Sequence, residues 1–228
     1  MASLGQVEQV KILLDAGADL HRKNPDGSTV LMQAAGWHAS DAGPCSSDEQ
    51  AIAILKLLLS KGADINEKDK AGDTALMYAA RERDGLEVSF LVQSGARIDY
   101  RDRWGVTALM MIANRGKQDP GVQALLKRGA KVGPVEALLM RDKLTFFKLV
   151  DAGASLKGLG PGGENLLSIA AEQGDLELVK WLVDRGFDVN FTASDGATPL
   201  ILAVAGSPVE EVFCLSLWRK WRSPRWRR

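Results

Sequence analysis

The stretch Gly72-Asp73-Thr74-Ala75-Leu76, followed by Ala79-Ala80, decides the fold because it returns along the chain in a fixed pattern. The other copies begin at Gly27, Gly105, Gly163 and Gly196. In each copy the glycine permits the positive φ of a tight turn, and the threonine, or asparagine in one copy, can cap the helix that begins there. The stretch therefore predicts a turn that leads directly into a helix.

A second landmark recurs in register with the first and is predicted to end a second helix. It is a Gly-Ala or Gly-Phe dipeptide, which suits a left-handed C-terminal cap. The copies are separated by 45, 33, 34, 24 and 33 residues and stand at Gly17-Ala18, Gly62-Ala63, Gly95-Ala96, Gly129-Ala130, Gly153-Ala154 and Gly186-Phe187. A period near 33 residues predicts helix pairs that cannot bury their own apolar faces and must stack into a solenoid.

With several landmarks kept in one phase, the chain resembles the ankyrin repeat family, whose signature Thr-Pro-Leu-His-x-Ala has its closest copy at residues 198–203. The resemblance implies an all-α ankyrin-repeat solenoid of stacked antiparallel helix pairs with short hairpin-like finger loops. The signature histidine is replaced in every copy, by Met32, Met77, Met110, Ser168 and Ile201. The histidine's hydrogen bond between repeats therefore cannot form with the same side chain, although methionine can fill irregular apolar space.

The register predicts one array over residues 1–215, which begins with a half repeat. Second helices are expected over Val7 to Ala16, Leu86 to Ser94 and Leu176 to Arg185. The predicted boundaries are 1–20 for the half repeat and about 21–65, 66–98, 99–130, 131–156, 157–189 and 190–215 for the repeats that follow. A half repeat at the start leaves two alternatives, a true start with an improvised cap or missing upstream repeats.

Two departures from the period predict local changes in the array. Twelve additional residues between Ala35 and Ala51 place Trp37 to Cys45 in an enlarged loop. Nine fewer residues between Gly129 and Gly153 leave no room for a finger before a helix predicted over Val135 to Arg141. We therefore expect a gap in the row of fingers between Trp104 and Pro161.

The segment 216–228 is a basic, tryptophan-rich tail. From Trp218 to Arg228 it holds six of the 29 basic residues, three of the six tryptophans and no acid. The remainder of the chain carries 23 basic against 29 acidic residues, so the balanced total hides two opposite parts. One reading is a tail that contacts anionic membrane or nucleic acid. The other is an off-pattern or disordered end, including one produced by a shifted reading frame.

Few residues are suited to catalysis, metal binding or cofactor binding. His21 and His38 share no motif with a nucleophile or second ligand, so neither a metal nor a cofactor is expected. Gly158-x-Gly160-x-x-Gly163 matches a dinucleotide fingerprint, but it falls at a finger position without the preceding buried strand. A non-catalytic protein is therefore expected.

Composition favours a soluble protein in a reducing compartment. Cys45 and Cys214 are too few for a disulfide framework, which leads us to expect a cytoplasmic protein. The start, Met1 to Gly5, lacks a basic region followed by an apolar stretch, and no run approaches the 18 apolar residues of a membrane span.

The resemblance implies that a partner protein is bound by the finger tips and by the exposed loop start after each first helix. Carried over by register, the central candidates for partner binding are Lys70, Asp73, Arg81, Glu82, Arg103, Trp104, Val106, Asn114 and Arg115. The second full repeat also offers Ala71. The flanking repeats add Pro25, Asp26, Ser28, Glu164, Glu172, Gln173, Ser194, Asp195 and Ala197. Trp104 is the outstanding residue, since Trp and Arg are enriched in interface hot spots. Its alternative role is packing over an adjacent finger. We expect a monomeric adaptor whose surface centres on Arg81, Arg103 and Trp104.

Overall fold

The computed structural model describes residues 5–36, 48–82 and 85–205, and the regular structure of these residues is helical. The helices are α1 Gly5–Asp15, α2 Val30–Ala35, α3 Asp48–Ser60, α4 Ala75–Glu82, α5 Gly85–Gln93, α6 Ala108–Ile112, α7 Pro120–Lys127, α8 Pro134–Leu139, α9 Lys143–Asp151, α10 Leu166–Glu172, α11 Leu176–Asp184 and α12 Pro199–Ala205. A 3-10 turn, Ala113–Arg115, continues from α6. The predicted all-α class is confirmed.

The helices belong to two compact units, unit 1 at Met1–Arg141 and unit 2 at Asp142–Arg228. Even-numbered helices are the first helices of the repeats, and odd-numbered helices are the second. Within unit 1, α2 contacts α4 and α4 contacts α6, while α1, α3, α5 and α7 follow one another in the same way. Unit 1 is therefore built from a layer of first helices and a layer of second helices.

Each second helix ends at one of the recurring glycines, as the sequence predicts. The six glycines have φ between 78° and 100°, a region that favours glycine. The residue after each glycine donates its N–H to a carbonyl five residues earlier, as Ala63 does to Leu58 (3.1 Å) and Ala96 to Leu91 (3.0 Å). This is the bond of a Schellman cap, so a carbonyl that the helix leaves unpaired is satisfied in every repeat.

The first helices begin at the predicted capping residues. Thr29, Thr74 and Thr107 accept the backbone N–H three residues later through Oγ1, at 3.3 to 3.4 Å. Asn165 does the same through Oδ1 at 2.8 Å. The threonine and asparagine of the recurring stretch therefore act as N-caps.

A continuous apolar core runs through unit 1. Its fully buried side chains include Leu31, Leu55, Leu76, Leu91, Leu109 and Leu125. Met32, Met77 and Met110, which stand at the signature histidine position, are also buried. The expectation that methionine fills apolar space there is confirmed, and the backbone N–H of Thr29 also points to Met32 Sδ at 3.4 Å.

Unit 2 has its own core around Phe146, Leu167, Leu178 and Leu182. Trp181 of α11 packs edge-on against Phe146 and Phe147 of α9, with ring centroids 5.9 and 5.4 Å away. These contacts join α9 and α11 within the second-helix layer of unit 2.

Two further predictions concern segments that the structure describes. Gly160 donates its N–H to Glu164 O (2.7 Å) and Gly163 donates to Gly160 O (2.9 Å), so the apparent dinucleotide motif is a tight finger turn. Residues 130–133 lead into α8 without a turn, as the shortened interval predicts. The enlarged loop around Trp37 to Cys45 and the basic tail lie outside the described residues.

Candidate functional site

Three consecutive fingers line the candidate surface of unit 1: finger 1 (Asn24–Ser28), finger 2 (Asp69–Asp73) and finger 3 (Asp102–Val106). The first residue of each finger donates its N–H to the carbonyl of the last, at 2.9, 3.0 and 3.1 Å. Adjacent fingers are joined by backbone bonds from Lys70 N–H to Asp26 O (3.0 Å) and from Arg103 N–H to Ala71 O (2.9 Å). These bonds hold equivalent side chains of the three fingers in rows.

The aspartates that open fingers 2 and 3 stabilise the turns from within. Asp69 Oδ1 accepts the N–H groups of Ala71 and Asp73, each at 2.8 Å. Asp102 Oδ1 accepts those of Trp104 (2.9 Å) and Val106 (2.8 Å). Both carboxylates are engaged by their own turn, so the fingers are preorganised.

A polar network lies between finger 2 and α4. Arg81 Nη2 is 2.5 Å from Asp73 Oδ2, and the Tyr78 hydroxyl donates to Asp69 Oδ2 at 3.0 Å. Burial raises the pKa of the Asp73 carboxyl above its ordinary value, although the nearby Arg81 opposes the rise. Burial acts to lower the pKa of Arg81, but its pairing with Asp73 outweighs that and leaves the pKa raised. Arg81 is therefore a fixed cation.

Finger 3 presents a stacked pair of side chains at its tip. The Arg103 guanidinium carbon lies 4.0 Å from the centroid of the Trp104 ring, within cation–π range. Trp104 remains 50% exposed although it is the largest side chain of the three fingers. The pair offers a flat, amphipathic contact area that is held above its own turn.

The 3-10 turn after α6 carries the last two central candidates. Asn114 and Arg115 are both exposed. Arg115 Nε donates to Asp119 Oδ2 at 3.0 Å, while Asp119 Oδ1 caps α7 by accepting the N–H of Gly121 at 2.8 Å. The cap thus fixes the direction of the Arg115 side chain.

The nine central candidates for partner binding differ in their solvent exposure. Lys70, Arg103, Trp104, Asn114 and Arg115 are exposed, and Arg81 and Glu82 are half-buried. Asp73 and Val106 are only 3% and 5% exposed, so their side chains offer no contact area. Both are the last residue of a finger, and Asp73 holds Arg81 of α4 in place.

Lys68 is a surface residue that the sequence reasoning missed. Its Nζ lies 3.8 Å from the centroid of the Tyr100 ring, so it links the segments that lead into fingers 2 and 3. The sequence could have identified it, because Lys23, Lys68 and Arg101 occupy the same position in successive repeats and form a recurring basic residue.

The flanking candidates of unit 2 lie around two further fingers, Gly160–Glu164 and Ala193–Ala197. These fingers are joined by the Ser194 N–H, which donates to Gly162 O at 3.1 Å. Glu164 Oε2 accepts the N–H of Gly162 at 2.9 Å, and burial raises the pKa of its carboxyl. Glu164 thus supports its own turn.

The sequence matches the profile for ankyrin repeats (3 copies) over residues 45–136 and that for ankyrin repeats (many copies) over residues 149–203. The chain belongs to the ankyrin repeat family. The crystal structure of the human ASB11 ankyrin repeat domain is similar, with a TM-score of 0.52, 22% identity and 93% of each chain covered. The ankyrin repeat domain of Bcl-3, from the IkappaB family, gives a TM-score of 0.48 at 24% identity, with 86% of this chain and 87% of that one covered. No curated protein matches the sequence.

These findings confirm the family and the ankyrin-repeat solenoid as the fold class. Ankyrin repeats are generally protein–protein interaction modules and are generally non-catalytic. Among the described residues, no three His, Cys, Asp or Glu side chains are grouped to hold a metal ion. None of the helices in the described ranges has the length and apolar character needed to cross a membrane.

Proposed function

We propose that this ankyrin array is a non-catalytic adaptor that binds a partner protein through the fingers and first helices of unit 1, the concave face in this fold. The observation that carries the proposal is the exposed Arg103–Trp104 pair on a finger fixed by backbone bonds. A cytoplasmic location is part of the proposal and rests on the low cysteine content.

Preorganisation supports this assignment. Binding normally costs the conformational freedom of the side chains and loops that become ordered. Here Asp102 holds the turn, and Arg103 already covers one face of the indole. An interface centred on Trp104 would therefore lose little conformational entropy.

Arg81 extends the same surface toward the first helices. Its charge is held by the ion pair with Asp73, and its guanidinium carbon lies 5.4 Å from the centroid of the Tyr78 ring. Asp73 contributes by positioning Arg81, whereas Val106 is buried where it closes finger 3. Asp73 thus acts through its half-buried neighbour Arg81.

The test is partner capture with the Arg103→Ala/Trp104→Ala variant. Partners are first identified by proximity labelling in the source organism, and their affinity for the purified chain is then measured. Loss of two hot-spot side chains should cost about 2 kcal/mol or more, which corresponds to about 30-fold in Kd. Circular dichroism should remain unchanged because both side chains are exposed.

Arg185→Ala is the matched control. Arg185 also stacks on an indole, with its guanidinium carbon 3.5 Å from the Trp181 ring, but it lies in unit 2. We expect the control to capture the partner like the wild type. Undiminished capture by the Arg103→Ala/Trp104→Ala variant would refute the proposed surface.

A further inference from the structure

The three fingers of unit 1 carry exposed cations at matching positions. Lys23, Lys68 and Arg101 each precede the residue that opens the finger, and Lys70 and Arg103 each follow it. We call these five residues the basic row. Because backbone bonds join each finger to the next, the register of the sequence becomes an alignment in space.

Among the described residues, one cation of the basic row pairs with a carboxylate and the other four do not. Lys23 Nζ pairs with Glu67 Oε1 at 2.5 Å. Lys68 lies over the Tyr100 ring, and Arg101 Nη1 donates to the carbonyl of Gly105 at 2.6 Å. Within residues 5–36, 48–82 and 85–205, neither these two nor Lys70 and Arg103 take part in an ion pair.

The carboxylates of fingers 2 and 3 are engaged by groups outside the basic row. Asp69 and Asp102 accept backbone N–H groups inside their own fingers, and Asp73 is buried against Arg81. Asp99 stands beside Arg97, at the base of finger 3. In finger 1, Asp26 is exposed, although its Oδ1 accepts the N–H (3.0 Å) and the hydroxyl (2.7 Å) of Ser28. The surface therefore presents the five exposed cations and the exposed ring of Trp104 beside one exposed finger carboxylate, Asp26.

We infer that the basic row binds an extended acidic peptide segment of the partner protein, an inference that rests on the proposed function. A linear row of cations on successive fingers is complementary to carboxylates spaced along an extended chain. The Lys23–Glu67 pair shows that a carboxylate fits the first position of the row. Arg101 and Arg103 offer forked donors, which suit carboxylates in particular.

Charge favours a peptide over a nucleic acid as the occupant. Nucleic-acid-binding domains are generally strongly basic, with an isoelectric point above about 9. This chain has a formal net charge of zero, and without its tail the acids outnumber the bases. A narrow basic row on an otherwise acidic chain suits a single acidic segment.

The test uses fluorescence anisotropy with the full chain and a fluorescein-labelled peptide of about 12 alternating glutamate and serine residues. A glutamine–serine peptide of the same length and an oligothymidylate serve as comparison probes. The acidic peptide should bind at least about tenfold more tightly than the neutral peptide, and its affinity should fall as salt is added. Equal binding of the two peptides, or tighter binding of the oligothymidylate, would overturn the inference.

The discriminating variant is Lys68→Glu/Arg101→Glu, with Lys127→Glu/Lys131→Glu as its control of equal charge change. All four side chains are exposed, and the control pair lies away from the fingers. The first variant should weaken peptide binding about tenfold or more, and Lys68→Gln/Arg101→Gln should weaken it less. The control should bind nearly as the wild type does, and an equal loss in both charge-reversed variants would refute a specific row.

The two proposals can fail separately. If Arg103→Ala/Trp104→Ala abolishes partner capture while the acidic peptide does not bind, only the peptide inference is wrong. If that variant captures the partner normally, the proposal that the partner binds the finger surface is wrong.

Discussion

Ser28, Asp73 and Val106 occupy the same position in successive fingers, and all three are buried. The position accepts a hydroxyl, a carboxylate or an isopropyl group because each finger is closed by backbone bonds. Only the carboxylate needs a charged partner, and Arg81 supplies it. At the scale of single residues, the type of side chain varies between fingers at a position where the backbone hydrogen bonds of the turn are already formed.

Among the described residues, Arg141 is the non-glycine residue with a positive φ. It has φ of 57°, whereas Gly174, which occupies the equivalent position 33 residues later, has φ of 70°. A non-glycine residue in this region costs about 1–2 kcal/mol, and glycine returns part of that in unfolded-state entropy. Arg141→Gly should therefore raise the free energy of unfolding by about 0.5–1 kcal/mol in a urea titration.

Arg128→Gly provides the opposite result as a control. Arg128 follows α7 with φ of −81°, which an L-residue adopts freely. Glycine there should lower stability by about 0.5–1 kcal/mol. A loss of stability in Arg141→Gly as well would mean that its side chain contributes more than its backbone costs.

The sequence predicted the helix caps and turn glycines better than it predicted which side chains are buried. The glycines that end second helices and the threonines that start first helices were readable because one residue type satisfies one backbone requirement. The burial of Asp73 depends on Arg81 eight residues away in sequence, which no local pattern encodes. The apolar side chain of Val106, which occupies the position equivalent to Asp73 in the next finger, was the sequence signal that this position is buried.

At the scale of helices, the predicted bounds of the second helices agree with the structure to within two residues. The second helix predicted over Leu86 to Ser94 is α5, Gly85–Gln93. The helix predicted over Val135 to Arg141 ends earlier, at Leu139, because Arg141 leaves the right-handed region. The 3-10 continuation of α6 was not predicted, since its sequence differs little from a helical one.

Two glycines let α5 and α7 approach closely. A Cβ on Gly121 would lie 2.9 Å from Val88 Cβ and 3.0 Å from Gly85 Cα, and Val88 is fully buried. Such distances require the helices to move apart. The close contact between α5 and α7 therefore requires glycine at positions 85 and 121.

Gly121→Ala should destabilise the chain although alanine is the better helix former. The gain in helix propensity is at most about 1 kcal/mol, whereas overpacking a buried contact costs about 1–3 kcal/mol. We expect a net loss of about 1–2 kcal/mol by urea denaturation. Lys127→Ala, on the exposed side of the same helix, should change stability by less than about 0.5 kcal/mol, and a more stable Gly121→Ala variant would contradict the close packing.

At the scale of the whole molecule, stability in a repeat protein is a sum of local terms between neighbouring repeats. Leu91 and Leu182 are both fully buried, the first in the core of unit 1 and the second in that of unit 2. Replacing either with alanine should cost about 2–5 kcal/mol. The two variants therefore perturb two separate cores to a comparable extent.

Hydrogen exchange should locate the effect of each substitution. Leu91→Ala should reduce amide protection most in α4, α5 and α7, because these helices share its core. Leu182→Ala should reduce it most in α10 and α11, which contact each other in unit 2. Since neighbouring repeats share most of the buried contacts, protection should recover with distance from the cavity. A uniform loss across all described helices in both variants would instead mean that the chain opens in one cooperative step, which nearest-neighbour stacking does not predict.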